Sequence, residues 1–103
     1  MTTVETATVR DNPSELRYEL WLGDRRIGEI RYRVEGDAIA LVHTEIDPAY
    51  EGQGYATRLV EGTLRDLRKR GKGVIPICPV VIAYMRRHPE YDDLVARDPA
   101  VPE

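Results

Sequence analysis

Residues 41–78 constrain this chain most. They read LVHTEID, PAYEGQGYA, TRLVEGTLRDLRKRGKG and VIPIC. An apolar strand runs into a glycine-bearing turn, then a long amphipathic helix, then a second apolar strand. Two strands joined through a helix lie parallel, with a right-handed crossover. The turn Glu51-Gly52-Gln53-Gly54-Tyr55-Ala56 stands where strand hands over to helix. A helix start presents unpaired backbone N–H groups and the positive end of the helix dipole. Such a place holds anions, above all phosphates.

The remaining segments supply the frame. Residues 4–10 alternate weakly and read as an edge strand. Asp11-Asn12-Pro13-Ser14 is a turn. Arg17–Leu22 and residues 26–34 alternate as half-buried strands around the Gly23-Asp24 hairpin. Ile27, Ile30, Tyr32 and Val34 are the inward positions of the second, and its spacing slips at Gly28-Glu29, the mark of a bulge. After the turn Glu35-Gly36-Asp37, Ala38–Ile46 is the most apolar strand and should be central. These four strands form an antiparallel meander.

The helix is expected over residues 54–70. Tyr55, Ala56, Leu59, Val60, Thr63, Leu64 and Leu67 form its apolar stripe, and Arg58, Glu61, Arg65, Asp66, Arg68 and Lys69 its polar face. Glu61 with Arg65, and Asp66 with Arg70, are i,i+4 pairs. Gly62 inside the helix signals a close neighbour, since glycine there costs about 1 kcal/mol against alanine. Gly71 and Gly73 close the helix. The next strand, 74–77, contains Pro76, which has no N–H and must break the ladder. Cys78-Pro79 starts a second helix with Val81, Ile82 and Met85 inward, and His88-Pro89 ends it. Residues 1–3 and 96–103 read as frayed tails.

Composition narrows the function classes. The 103 residues make one domain with one modest core. No run approaches the ~18 apolar residues of a membrane span. The N-terminus MTTVETATVR has no apolar leader core, so the cytoplasm is the expected compartment. A single cysteine excludes an internal disulfide, and no metal is expected. Net charge of −3 and the lack of interleaved aromatics argue against nucleic acid, despite the basic runs RDLRKRGK and Arg86-Arg87-His88.

By itself a Gly-x-Gly turn says little: the lysine of a P-loop and the third glycine of a dinucleotide fingerprint are absent. The joint pattern HTEIDP, EGQGYA, PICP and RRHPEY is more specific. It resembles the GNAT superfamily of acyl-CoA-dependent N-acetyltransferases, and within it the minimal single-domain family. The superfamily's pyrophosphate turn is [Arg/Gln]-x-x-Gly-x-[Gly/Ala]. Gly54 and Ala56 match it, while Glu51 stands in the Arg/Gln position.

The resemblance implies an α/β fold: a mixed, mostly antiparallel five-stranded sheet with two helices and a splayed parallel pair. It implies acetyl-CoA as co-substrate and an amine acceptor, whether a protein lysine, a polyamine or a small amine. The pantetheine arm would lie between residues 41–47, Ile46 included, and residues 74–78. Backbone at Gly52, Gln53, Gly54, Tyr55, Ala56 and Thr57 would hold the pyrophosphate, with Arg58 in reach of a phosphate and Met85 and His88 near the ligand. Arg86 and Arg87 are weaker candidates for the adenosine phosphate.

Three roles are open to Cys78: acyl-carrying nucleophile, pocket lining beside the thioester, or small buried hydrophobe. A helix start favours thiolate over thiol. An amine must lose a proton before it attacks, so a base is useful. Glu45 is the first candidate and His43, on the same strand face, the second. Larger relatives carry a tyrosine acid on the last helix. That position is Met85 here, and Tyr84 is one residue off. A different class of function, a CoA-binding module with little catalysis, fits the same residues. A monomer or weak dimer, without nucleic-acid or membrane partners, is expected.

Overall fold

A computed structural model describes residues 6–96. Its strands are β1 (Ala7–Asn12), β2 (Arg17–Leu22), β3 (Arg25–Glu35), β4 (Ala38–Ile46) and β5 (Gly73–Pro76), and its α-helices are α1 (Tyr55–Lys69) and α2 (Pro79–Arg87). The five strands form one sheet in chain order, the first four antiparallel and β5 parallel to β4. The expected meander, crossover and two α-helices are all present. Short 3-10 turns at Pro13–Glu15, Pro48–Tyr50 and Pro89–Leu94 complete the chain.

Both helices pack on one face of the sheet. Leu59, Val60, Leu64 and Leu67 of α1 and Val81, Tyr84 and Met85 of α2 meet Tyr18, Leu20, Ile27, Ile30, Tyr32 and Leu41. Fully burying such side chains contributes about 1.5–3 kcal/mol each, far more than the few tenths of an exposed ion pair. This stripe, not the surface charge, therefore docks α1. The opposite sheet face carries a smaller cluster of Ala38, Ala40 and Ile75, with Val42 and Ile77 at its edge.

Two bulges set which side chain faces where. In β2–β3, Gly28 opposes Leu20 and Arg26 opposes Trp21, so Ile27 is the extra residue, one position before the expected slip. In β3–β4, Arg31 opposes His43 and Tyr32 opposes Leu41, so Val42 is extra. Plain alternation would put His43 and Glu45 on the face of Ile39 and Leu41. The bulge reverses the phase. Beyond it Thr44 and Ile46 face the helices, while His43 and Glu45 project from the opposite face, beside Arg31 and Glu29.

Some expectations are corrected. Asp11 and Asn12 extend β1 rather than turn, because both side chains find partners across the sheet. Tyr32 Oη donates to Asp11 at 2.7 Å, and Asn12 Nδ2 donates to Glu19 at 3.0 Å. Of the predicted 4–10 strand, residues 4 and 5 lie outside the described residues. Val34 is 59% exposed, near the β3–β4 hairpin. Gly71, at φ 68°, closes α1, but Gly73 opens β5, where a Cβ would fall 2.6 Å from Ala96 Cβ. Ala96 is not frayed: its N–H donates to Val74 O at 2.9 Å, next to a parallel bridge between Val74 and Val95. The rest of the predicted tails, 1–3 and 97–103, lies outside the described residues.

The expected ion pairs form: Arg65 meets Glu61 at 3.0 Å and Arg70 meets Asp66 at 3.0 Å. The second joins a network. Tyr18 donates to Asp66, and Arg70 also reaches Asp11 at 2.8 Å, which holds Tyr32. Burial first, and then the carboxylates, raise the pKa of both tyrosines, so their hydroxyls stay donors and pin α1 to β1–β3.

Candidate functional site

β4 and β5 pair only along Ala38–Leu41 and Gly73–Pro76. The Leu41 carbonyl then accepts two N–H groups, from Ile77 at 3.1 Å and Cys78 at 2.9 Å. That shared carbonyl ends the ladder, and the chain leaves the sheet to start α2 at Pro79. Residues 42–46 of β4 consequently have no strand neighbour on this side among the described residues. Backbone groups on an open edge are a template for another extended chain.

The edge leads into the glycine turn. Asp47 caps the 3-10 turn Pro48–Tyr50 by accepting from the Ala49 N–H at 2.9 Å. Gly52 (φ 77°) and Gly54 (φ 83°) then bring the backbone round to α1. Gly54 is the N-cap, no side chain caps the helix start, and no acidic residue stands in its first turn. The first N–H to close back is that of Arg58, on Gly54 O at 3.3 Å, so the amides of Tyr55, Ala56 and Thr57 have no intrahelical acceptor. Tyr55 packs edge-on to Tyr50, and the Arg58 guanidinium sits 5.5 Å from the Tyr55 ring centre.

Turn and edge line one cleft of about 400 Å3, formed by Thr44 and Ile46 of β4, by Tyr50, Glu51, Gly52, Gly54, Tyr55 and Ala56 of the turn and helix start, and by Val80 of α2. Of the predicted ligand residues, Ile46, Gly52, Gly54, Tyr55 and Ala56 line it. Gln53, Thr57, Arg58, Cys78, Met85 and His88 do not. The Gln53 amide instead lies 3.5 Å from Ala49 O. The donor set fits an elongated ligand with an anionic group at the turn end: free amides, a nearby guanidinium and an unpaired strand edge.

Cys78 is 3% exposed, and its Sγ lies 3.3 Å from Thr44 Oγ1. The thiol thus meets the cleft through Thr44, on the helix side of β4. His43 Nε2 and Glu45 Oε1 lie 3.1 Å apart on the other side. Tyr84 is buried, donates to Glu61 at 3.2 Å and stacks on His88 with ring centres 4.0 Å apart. Burial, then the Glu61 carboxylate, raises its pKa and makes it a weaker acid. Met85 is buried in the core, and His88 Nδ1 is 3.3 Å from Glu90.

A second groove of about 630 Å3 shares Thr44, Ile46 and Glu51 with the cleft. Glu29, Glu45, Asp47 and Glu51 line it against a single arginine, Arg26, which is itself 3.4 Å from Glu19. Gly28 also lines it, and a Cβ there would fall 2.6 Å from Ile46 Cδ1. Among the described residues no three His, Cys, Asp or Glu side chains are grouped to hold a metal ion, and no helix is long and apolar enough to cross a membrane.

Sequence reasoning missed Thr44, Tyr50 and Val80. Thr44 and Tyr50 both precede the glycine turn in LVHTEIDPAYEGQG, and Val80 follows the helix-starting Cys78-Pro79, so proximity to punctuation was the available signal. The bulge at Val42 leaves no such mark.

Solved structures share this fold. One, described as a GCN5-like N-acetyltransferase from Staphylococcus aureus, aligns with a TM-score of 0.65 at 21% identity over 90% of this chain and 91% of that one. The ribosomal-protein-S18-alanine N-acetyltransferase of Escherichia coli aligns with a TM-score of 0.58 at 23% identity, over 70% of this chain and 50% of that one. Comparison with curated protein sequences gives no match. A family model described as GCN5-related N-acetyl-transferase matches residues 17–94, from the start of β2 to the end of the last 3-10 turn. The chain belongs to the GCN5-related N-acetyltransferase family, whose enzymes use acetyl-CoA.

Proposed function

We propose that this protein transfers an acetyl group from acetyl-CoA to an amine. One observation carries the reading: the unpaired β4 edge and the uncapped start of α1 line a single cleft. Thr44, Ile46 and Val80 would flank the pantetheine arm along that edge. The amides from Gly52 to Thr57 would hold the pyrophosphate, with Arg58 screening its charge. An arm running from the turn back along β4 brings the thioester to Val42 and Cys78, where the ladder ends.

Cys78 and Thr44 line the helix side of that point, and His43 and Glu45 the open side. A base on the open side takes the amine's proton, and the nitrogen then attacks the thioester carbonyl carbon. The acidic groove beside β4 supports a cationic amine as the acceptor, since Glu45, Asp47 and Glu51 attract an ammonium group. A second reading, CoA binding with little catalysis, is favoured by Tyr84. Its hydroxyl is already donated to Glu61, which leaves no evident acid for the leaving thiolate.

Intact-mass spectrometry with acetyl-CoA, beside thermal-shift titration with CoA, tests the reading. CoA-dependent stabilisation with acetyl transfer to an added amine supports it. Stabilisation without transfer to any amine leaves the binding reading. No stabilisation at any CoA concentration overturns both.

A further inference from the structure

We propose that His43 is the catalytic base of the transfer and that Glu45 is its positioning residue, not a second base. The inference rests on the acetyl-transfer reading above. It starts from the bulge at Val42, which turns both side chains to the open face of β4. His43 Nε2 and Glu45 Oε1 are 3.1 Å apart there, both exposed to an incoming acceptor.

The order along β4 assigns the roles. The glycine turn follows the carboxyl end of β4, so the acyl end of a ligand anchored at the turn lies toward Val42. His43 is the first residue past the bulge. Glu45 is two residues, about 6–7 Å, nearer the turn. Glu45 also lines the acidic groove, so it meets His43 from the side on which the acceptor enters.

The neighbouring charges leave Glu45 to His43. Across β3, Arg31 opposes His43 and Glu29 opposes Glu45. Arg31 Nε binds Glu29 at 2.8 Å, and Arg17 lies 4.0 Å from the same carboxylate. Glu29 is thus committed to arginines. On the β5 side this face carries apolar Ile75 and Ile77. A carboxylate at Nε2 takes the N–H there and leaves Nδ1 as the free acceptor.

The step balances. The acceptor ammonium gives one proton to His43 Nδ1. Its nitrogen forms the C–N bond to the acetyl carbon, and the C–S bond breaks. The second nitrogen proton passes to the leaving thiolate as the amide forms. His43 returns its proton to water.

The test measures thiol release from acetyl-CoA with spermidine and with polylysine as acceptor probes, for wild type, His43→Gln, Glu45→Gln, Glu45→Asp and the double variant His43→Gln with Glu45→Gln. His43→Gln should lower kcat by about 100-fold and leave stabilisation by CoA unchanged. Glu45→Gln should lower kcat about tenfold with KM little changed, and Glu45→Asp, which keeps a carboxylate beside the ring, should recover part of that loss. The double variant should be no slower than His43→Gln alone. A larger loss in Glu45→Gln than in His43→Gln, a multiplicative double variant or no recovery in Glu45→Asp overturns the proposal. Wild-type transfer with His43→Gln unimpaired overturns it alone. Wild type that binds CoA yet transfers to neither probe overturns it together with the acetyl-transfer reading.

Discussion

Thr44 Oγ1 and Cys78 Sγ stand 3.3 Å apart past the point where the β4–β5 ladder ends. The contact joins the one cysteine of the chain to the strand edge that lines the cleft. Thr44→Val keeps the volume and removes the hydroxyl. If Thr44 orients the thiol for acylation, losing a hydrogen bond worth about 1 kcal/mol slows acyl uptake about fivefold. Where wild type gains an acetyl mass, intact-mass time courses should show this slowing in Thr44→Val and no gain at all in Cys78→Ala, and wild type without a gain assigns the transfer to direct attack by the amine. Equal acylation rates in wild type and Thr44→Val would remove Thr44 from the chemistry.

Gly54 holds φ 83° at the N-cap of α1. Left-handed backbone costs a side-chain-bearing residue about 1–2 kcal/mol, and a β-branched one more. Gly54→Val should therefore lower Tm and abolish stabilisation by CoA. Gly36, at φ 62° in the β3–β4 hairpin, holds the same left-handed backbone but has no part in the cleft. Gly36→Ala should lose stability and keep the CoA response. Loss of the response in both variants would show that strain alone explains it.

At Gly62 a Cβ would lie 2.4 Å from Val9 Cγ2. Alanine gains about 1 kcal/mol of helix propensity, but separating α1 from β1 costs about 1–3 kcal/mol. Packing should win, so chemical denaturation of Gly62→Ala is expected to show a net loss. Adding Val9→Ala should restore part of it. A stabilised single variant would mean that β1 yields to the helix.

Glu19 is buried. Burial alone would raise its pKa, but hydrogen bonds from Asn12, Arg17 and Trp21, with the charge of Arg17, outweigh burial and lower it from 4.5 to about 2. A depressed carboxylate stabilises the fold above the unfolded pKa and loses that contribution as pH falls through the folded one. The window is thus pH 4.5 to about 2, and the loss up to about 3 kcal/mol. Urea unfolding across that window should show a steep fall for wild type and a flatter one for Glu19→Gln, which starts lower at neutral pH. Parallel curves would assign the acid loss to other carboxylates.

The strands, the crossover and the docking face of α1 were legible because each depends on local periodicity. RYELWL alternates and forms β2 over the predicted residues, and the stripe from Leu59 to Leu67 is the stripe that is buried. The glycine turn was legible because left-handed backbone demands glycine. Contacts between distant segments were not. Asp11 joins β1 because Tyr32 and Arg70 reach it, and Ala96 is held by Val74. Neither partner is near in sequence.

The site divides along the same line. The residues themselves determine an apolar strand, a turn with free amides, a helix start and a proline that weakens the last ladder. Only the tertiary structure decides which side chains meet. The extra residue Val42 reverses the phase of β4, sends Thr44 to Cys78 and sends His43 with Glu45 to the open face. A bulge depends on the register between two strands. Register is set by packing of the whole sheet against its helices, which no local pattern in LVHTEID encodes.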